Sequence, residues 1–217
     1  MTHKEQFLSK RKEINTLRIK NITKPLNLIL KLSVRTYFFI QPNQFLDLNP
    51  MDPTYYGNRA ACYLNLKNFA QCIVDCNNAI DIDGNFSKAW MRKGRSLFCL
   101  GKFDEAKQCL QKAKELEPSN ATYRQELNEI NQVQSAFQNA ENSFNSGDFK
   151  RALDGYKQSL MVCPDLIPGK IKSIETLAKT GDLQTAIELC NRYGPELSKN
   201  VEFLYAKGLA LCYHGQT

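Results

Sequence analysis

A block of glycine, aromatic and alanine recurs at a fixed step along this 217-residue chain, and that recurrence constrains the fold more than any other feature. Gly101-Lys-Phe103-Asp-Glu-Ala106 matches Gly147-Asp-Phe149-Lys-Arg-Ala152, Gly181-Asp-Leu183-Gln-Thr-Ala186 and the looser Lys67-Asn-Phe69-Ala-Gln-Cys72. Phe69 to Phe103 and Phe149 to Leu183 are both steps of 34 residues, whereas Phe103 to Phe149 is 46, one period plus an insert of 12. A chain built this way buries apolar surface by stacking neighbours rather than around one centre, so length alone does not count its domains.

Each period reads as two helices. In residues 87–120 the first carries Trp90, Gly94 and Leu97 and ends at Gly101; the second carries Ala106, Leu110 and Ala113 and stops at Pro118. Gly94, Ala106 and Ala113 let neighbouring helices approach closely, while Trp90, Leu97, Phe103 and Leu110 fill the spaces between them.

These positions, Trp90-x-x-Lys93-Gly94 followed by Phe103, Ala106, Ala113 and Pro118, resemble the tetratricopeptide family. The resemblance implies an all-α fold, a right-handed superhelix of helix-turn-helix repeats (an alpha-alpha solenoid). The unit at 53–86 keeps Tyr56, Ala60, Tyr63, Phe69 and Ala79 but has Cys72 for the small alanine and Gly84 for the proline. That at 133–166 keeps Ala136, Ala140, Phe149, Ala152 and Pro164, while 167–200 is most divergent, with Lys170 and Ile174 where Trp and Gly are usual. Residues 201–216 supply one more first helix with Gly208 in register, leaving an apolar face at Leu204, Leu211 and Cys212 without its partner. The insert 121–132, rich in Gln, Asn and Glu without Gly or Pro, predicts one long helix from Ala121 to Asn145. The expected organisation is an irregular or disordered segment 1–44, a first subdomain 45–120, the linker helix 121–132 and a second subdomain 133–217. Pro25, Phe38 and Pro42 take residues 1–44 out of the repeat pattern.

Composition excludes several function classes. Of the net charge of +7, residues 1–52 carry +5 and residues 53–217 only +2, so the repeat body lacks the basic surplus expected of a nucleic-acid binder. The longest apolar stretch, Leu26–Ile40, contains Lys31 and Arg35 and is too short to span a bilayer. The eight cysteines include no CxxC pair, and the two histidines, His3 and His214, are far apart, which predicts buried free thiols in a reducing compartment and no metal site. The cytoplasm is the expected location, with the nucleus as an addition. No nucleophile elbow, phosphate loop or HExxH motif is present, so neither catalysis, a cofactor nor a small-molecule substrate is expected.

One constellation points to a ligand. Asn58 lies 34 residues before Arg92, the same register of consecutive first helices, and Lys88 precedes Arg92 by one turn. In the resembling co-chaperones, an Asn followed 30 residues later by Lys-x-x-x-Arg belongs to a carboxylate clamp that grips the terminal Asp of heat-shock chaperones. Asn58, Lys88 and Arg92 match that spacing. Arg and Lys give charge-assisted bonds to a carboxylate, and Asn orients it. The family clamp also draws a Lys and an Asn from the preceding first helix, where this sequence has Thr23 and Asn27, so the clamp is half present. The competing reading is a solvated basic face of Lys88, Arg92, Lys93 and Arg95.

The resemblance is greatest to tetratricopeptide co-chaperones with a C-terminal J domain and covers residues 45–217; these 217 residues contain no His-Pro-Asp tripeptide, so docking is the part it implies. The expected function is an adaptor for the acidic tails of 70-kDa and 90-kDa heat-shock chaperones. Alternatives are a scaffold for other proteins, or the regulatory half of a phosphatase or isomerase.

Overall fold

The computed structural model describes residues 52–214; residues 1–44, the boundary at 45, Thr23 and Asn27 lie outside them. The chain divides into units 1–50 and 51–217, and the described residues all belong to the second. They form nine helices: α1 (Pro53–Asn65), α2 (Phe69–Ile82), α3 (Ser87–Cys99), α4 (Phe103–Leu116), α5 (Ala121–Asn145), α6 (Phe149–Val162), α7 (Ile167–Thr180), α8 (Leu183–Leu197) and α9 (Val201–His214). Consecutive helices pack as neighbours, and α1 also touches α3, as α7 touches α9.

Local chemistry sets the boundaries. Asp52 caps α1 by accepting from the Thr54 N–H at 2.9 Å, with Pro53 opening the helix. Asn120, Asp148 and Asp182 cap α5, α6 and α8 in the same way. Gly101, Gly147 and Gly181 turn the chain between paired helices at φ of +78°, +83° and +82°. At the equivalent place in the first repeat stands Lys67 with φ +59°, a left-handed backbone carried by a residue with a Cβ.

Apolar burial is distributed along the array. One cluster joins α1 to α3 through Ala60, Cys72, Cys76, Ala79 and Ala89; another joins α7 to α9 through Ile174, Ala186, Cys190 and Phe203. Cys72, at the small-residue register of α2, is wholly buried. Between these ends, Phe98 meets Phe103 at 6.2 Å, Phe103 meets Phe137 at 5.9 Å and Phe137 meets Tyr156 at 5.4 Å between ring centroids. This aromatic ladder ties α3 and α4 to α6 across the long α5. At the far end, Leu204 and Leu211 of α9 are about half exposed, and a Cβ built on Gly208 meets nothing within 4 Å. No described helix is long and apolar enough to cross a membrane.

Candidate peptide-binding groove

The first helices of the first two repeats, α1 and α3, carry the sequence-derived site. Residues 88, 92, 95 and 99 recur at helical spacing along one stripe of α3, and 58, 62 and 65 do so along α1. Gly57 makes their approach possible. A Cβ there would stand 2.5 Å from Phe86 Cε1 and 3.3 Å from Arg92 Nη1, so a side chain would push both away. In that space Arg92 Nη1 donates to the Gly57 carbonyl at 3.0 Å. Arg92 is thereby half-buried beside the backbone that leads into Asn58, whose own side chain is exposed. Burial raises the Cys62 thiol pKa, and the Arg92 charge opposes that rise, a second sign of how far the guanidinium reaches over α1.

Lys88, one turn before Arg92, is exposed. Its ammonium is the last contributor to the lowered pKa of Glu117, after hydrogen bonds from Ser87, Asn120 and Tyr123. The result is two cations and an amide on neighbouring helices, one cation tethered and the other exposed. Such a set supplies donors to an anion.

The basic residues of α3 do not form a uniform solvated face. Lys93 lies over the Trp90 ring at 5.5 Å, and Trp90, itself half-buried, donates its indole N–H to the Gly84 carbonyl at 2.9 Å. Arg95 Nη2 stands 2.6 Å from Oε1 of Glu126, an acid on α5 that is 6% exposed. Burial pushes the Glu126 carboxyl above the usual glutamate range against the opposing pull of Arg95. Sequence reasoning missed this pair because Glu126 lies in the insert, outside the repeat register. It also missed Lys67, whose ammonium pairs with Asp165 in the α6–α7 turn, 98 residues away.

Among the described residues the cysteines form no disulfide; Cys62, Cys72, Cys76, Cys109, Cys163 and Cys190 are buried. Hydrogen bonding to Cys72 and burial push the Cys76 thiol far up. Among the described residues, no group of three or more His, Cys, Asp and Glu is placed to hold a metal ion.

Comparison with known proteins agrees with the fold. The tetratricopeptide-repeat family profile matches residues 53–86 and again 87–120, so this pair of helical hairpins is a pair of tetratricopeptide repeats. The tetratricopeptide domain of P58(IPK), 13% identical, superposes with a TM-score of 0.64 over 99% of this chain and 61% of that one, which makes the whole array one of tetratricopeptide type. DnaJ homolog subfamily C member 7 of Homo sapiens is 30% identical over 168 residues, 77% of this chain. The match covers 34% of the human protein, so the chain spans about a third of that relative's length. The Heat shock protein sti1 homolog of Schizosaccharomyces pombe is 55% identical over 51 residues, 24% of this chain and 9% of that protein.

Proposed function

We propose that the face shared by α1 and α3 binds the C-terminal carboxylate of an acidic peptide, and that the chain works as an adaptor docking the acidic tails of 70-kDa and 90-kDa heat-shock chaperones. The observation that carries this reading is the tethered Arg92. Its guanidinium is held by the Gly57 carbonyl next to Asn58, on the same helical stripe as the exposed Lys88. A carboxylate placed among them would receive charge-assisted bonds from Arg92 and Lys88 and a neutral donor from Asn58. The likeness to proteins named as DnaJ and Sti1 homologues supports a chaperone partner over an arbitrary one. Within that class, the co-chaperones that join tetratricopeptide repeats to a J domain are the kin we infer, with the cytoplasm as the place of work.

Titration calorimetry with a peptide ending in acidic residues tests the reading. With three donors on these two helices, the dissociation constant should be tens of micromolar or weaker, about −6 kcal/mol. Binding should weaken as salt rises, because exposed charges are screened over about 10 Å at 0.1 M ionic strength. Amidating the peptide C-terminus removes the charge being gripped and should abolish binding. Equal affinity of amide and free acid would overturn the proposal.

A further inference from the structure

The stripe of α3 that carries Lys88 and Arg92 does not end at Arg92. Continuing through Arg95 to Cys99 it enters a cavity of about 400 Å³ between the C-terminal ends of α1 and α3, the side of α5 and the α6–α7 turn. Phe69, Phe98, Leu110 and Ile130 give the cavity apolar walls. Its charged lining is Lys67 and Arg95 with Glu126, Glu129 and Asp165, and Lys170 also reaches Asp165 at 3.5 Å. Lys67 is engaged by Asp165 and Arg95 by Glu126, while Glu129 accepts from Gln125 Nε2 at 2.9 Å.

Glu126 is the group whose needs are only half met. It is more than nine-tenths buried and neither of its oxygens reaches water; Oε1 meets the Arg95 guanidinium at 2.6 Å, while Oε2 accepts no hydrogen bond among the described residues. A buried carboxylate oxygen without a donor is costly to keep, and an N–H brought to it offsets that cost. A ligand suited to these walls has an apolar stem and a cationic head. That is the chemistry of a lysine or arginine side chain, which buries its methylenes and presents its charge at the tip.

We propose that this cavity is a subsite for a lysine or arginine side chain of the bound peptide, its head donating to Glu126 Oε2. The proposal rests on the reading that the groove takes C-terminal peptides. Seven residues of helix separate Arg92 from Cys99, about 10 Å at about 1.5 Å per residue. An extended peptide advances about 3.3 Å per residue, so the basic side chain falls about three residues before the terminus. Acidic residues of the tail then lie between the two subsites.

The test uses peptides with a free, acidic C-terminal residue and lysine, norleucine or glutamate placed three, four or five residues before it. Norleucine has the stem of lysine without its charge, so the comparison reads the head group alone. At one of these positions lysine should bind at least about tenfold tighter than norleucine, a difference of about 1.4 kcal/mol, with glutamate weakest. In Glu126→Gln, which keeps the size of the side chain, the lysine advantage should shrink to about twofold or less while sensitivity to C-terminal amidation persists. Equal binding of lysine and norleucine at all three positions, with amidation still abolishing binding, overturns the subsite and leaves the carboxylate site standing. A lysine preference that survives in peptides indifferent to amidation overturns the carboxylate site and keeps the subsite.

Discussion

At one register of two repeats, the same helical hairpin is assembled from opposite materials. In α3 that register holds Trp90 and Gly94; in α7 it holds Lys170 and Ile174. The α3–α4 pair closes by contact. A Cβ on Gly94 would come within 3.0 Å of Leu110 Cγ and 3.2 Å of the Ala106 carbonyl, so α4 occupies the space a side chain would need. The α7–α8 pair has a side chain at that register, with Ile174 and Ala186 both wholly buried in one apolar cluster. Trp90 keeps part of its surface in water, whereas Lys170 is 3% exposed. Its ammonium donates to both Glu196 oxygens at 2.9 and 3.0 Å and stands 3.5 Å from Asp165. The period thus dictates where helices meet without dictating whether dispersion or a buried ion pair holds them.

The largest effect that separates the two hairpins is expected at Lys170. Lys170→Ala removes a buried cation and leaves Glu196 and Asp165 without it, at a cost of about 3 kcal/mol; because both acids keep some contact with water, the upper end of the range for buried pairs is not reached. Lys170→Met, which keeps the stem, should cost less. Urea denaturation monitored by circular dichroism checks both, and a loss below about 0.5 kcal/mol for Lys170→Ala would mean that packing alone holds the α7–α8 hairpin.

Next in size is a pair of glycines at one register. Gly94→Ala should lose about 1–2 kcal/mol through overpacking against Leu110. Gly208→Ala, where a Cβ meets nothing, should gain up to about 1 kcal/mol from helix propensity. Should thermal melts show the same loss for both, the face of α9 around Gly208 would be as closely covered as that of α3.

Two glutamates should give stability opposite dependences on pH. Glu117 is held below the usual glutamate range, first by Ser87 and then by Asn120 and Tyr123, so its contribution is full above that range and is lost as pH falls from it through the lowered value. Glu126 is pushed above the range by burial, so the protonated form is favoured in the fold and stability declines as pH rises from the usual range through its raised value. Denaturation profiles of Glu117→Gln and Glu126→Gln separate them: the first variant should lose the acid-side decline, the second the decline on the rising side. A wild-type profile unchanged by Glu126→Gln would mean that Arg95 fully offsets the burial.

The smallest net change is expected at Lys67. Lys67→Gly relieves a left-handed backbone, worth about 1 kcal/mol, and loses a partly exposed ion pair to Asp165 worth about 0–1 kcal/mol. The variant should be as stable as the parent or slightly more so. A clear loss on denaturation would give the ion pair a larger part in holding the α6–α7 turn to the first repeat.

The features legible in the sequence are those that repeat. The positive-φ glycines, the buried Cys72 and the alignment of Asn58 with Arg92 all come from a 34-residue step and helical spacing. The features that were not legible lie between repeats. Gly57 presents its carbonyl to Arg92 because Phe86 leaves room only for a residue without Cβ, and Glu126 finds Arg95 because the unbroken α5 carries the insert alongside α3. Neither partner sits at a repeating offset. Lys93 and Arg95 look equivalent to Lys88 by charge alone, yet one is drawn to an indole and the other to a buried acid.

Lys88 is the clean probe of whether the α1–α3 face grips a carboxylate, because Arg92 also braces α1. A double-mutant cycle by calorimetry crosses Lys88→Ala with amidation of the peptide C-terminus. If Lys88 and its neighbours hold the terminal charge, each change alone weakens binding and their effects are coupled by about 1.5–3 kcal/mol, the strength of a hydrogen bond to a charged group. Additive effects, or a Lys88→Ala variant that binds the free acid as tightly as the parent protein, would contradict a carboxylate grip at this site.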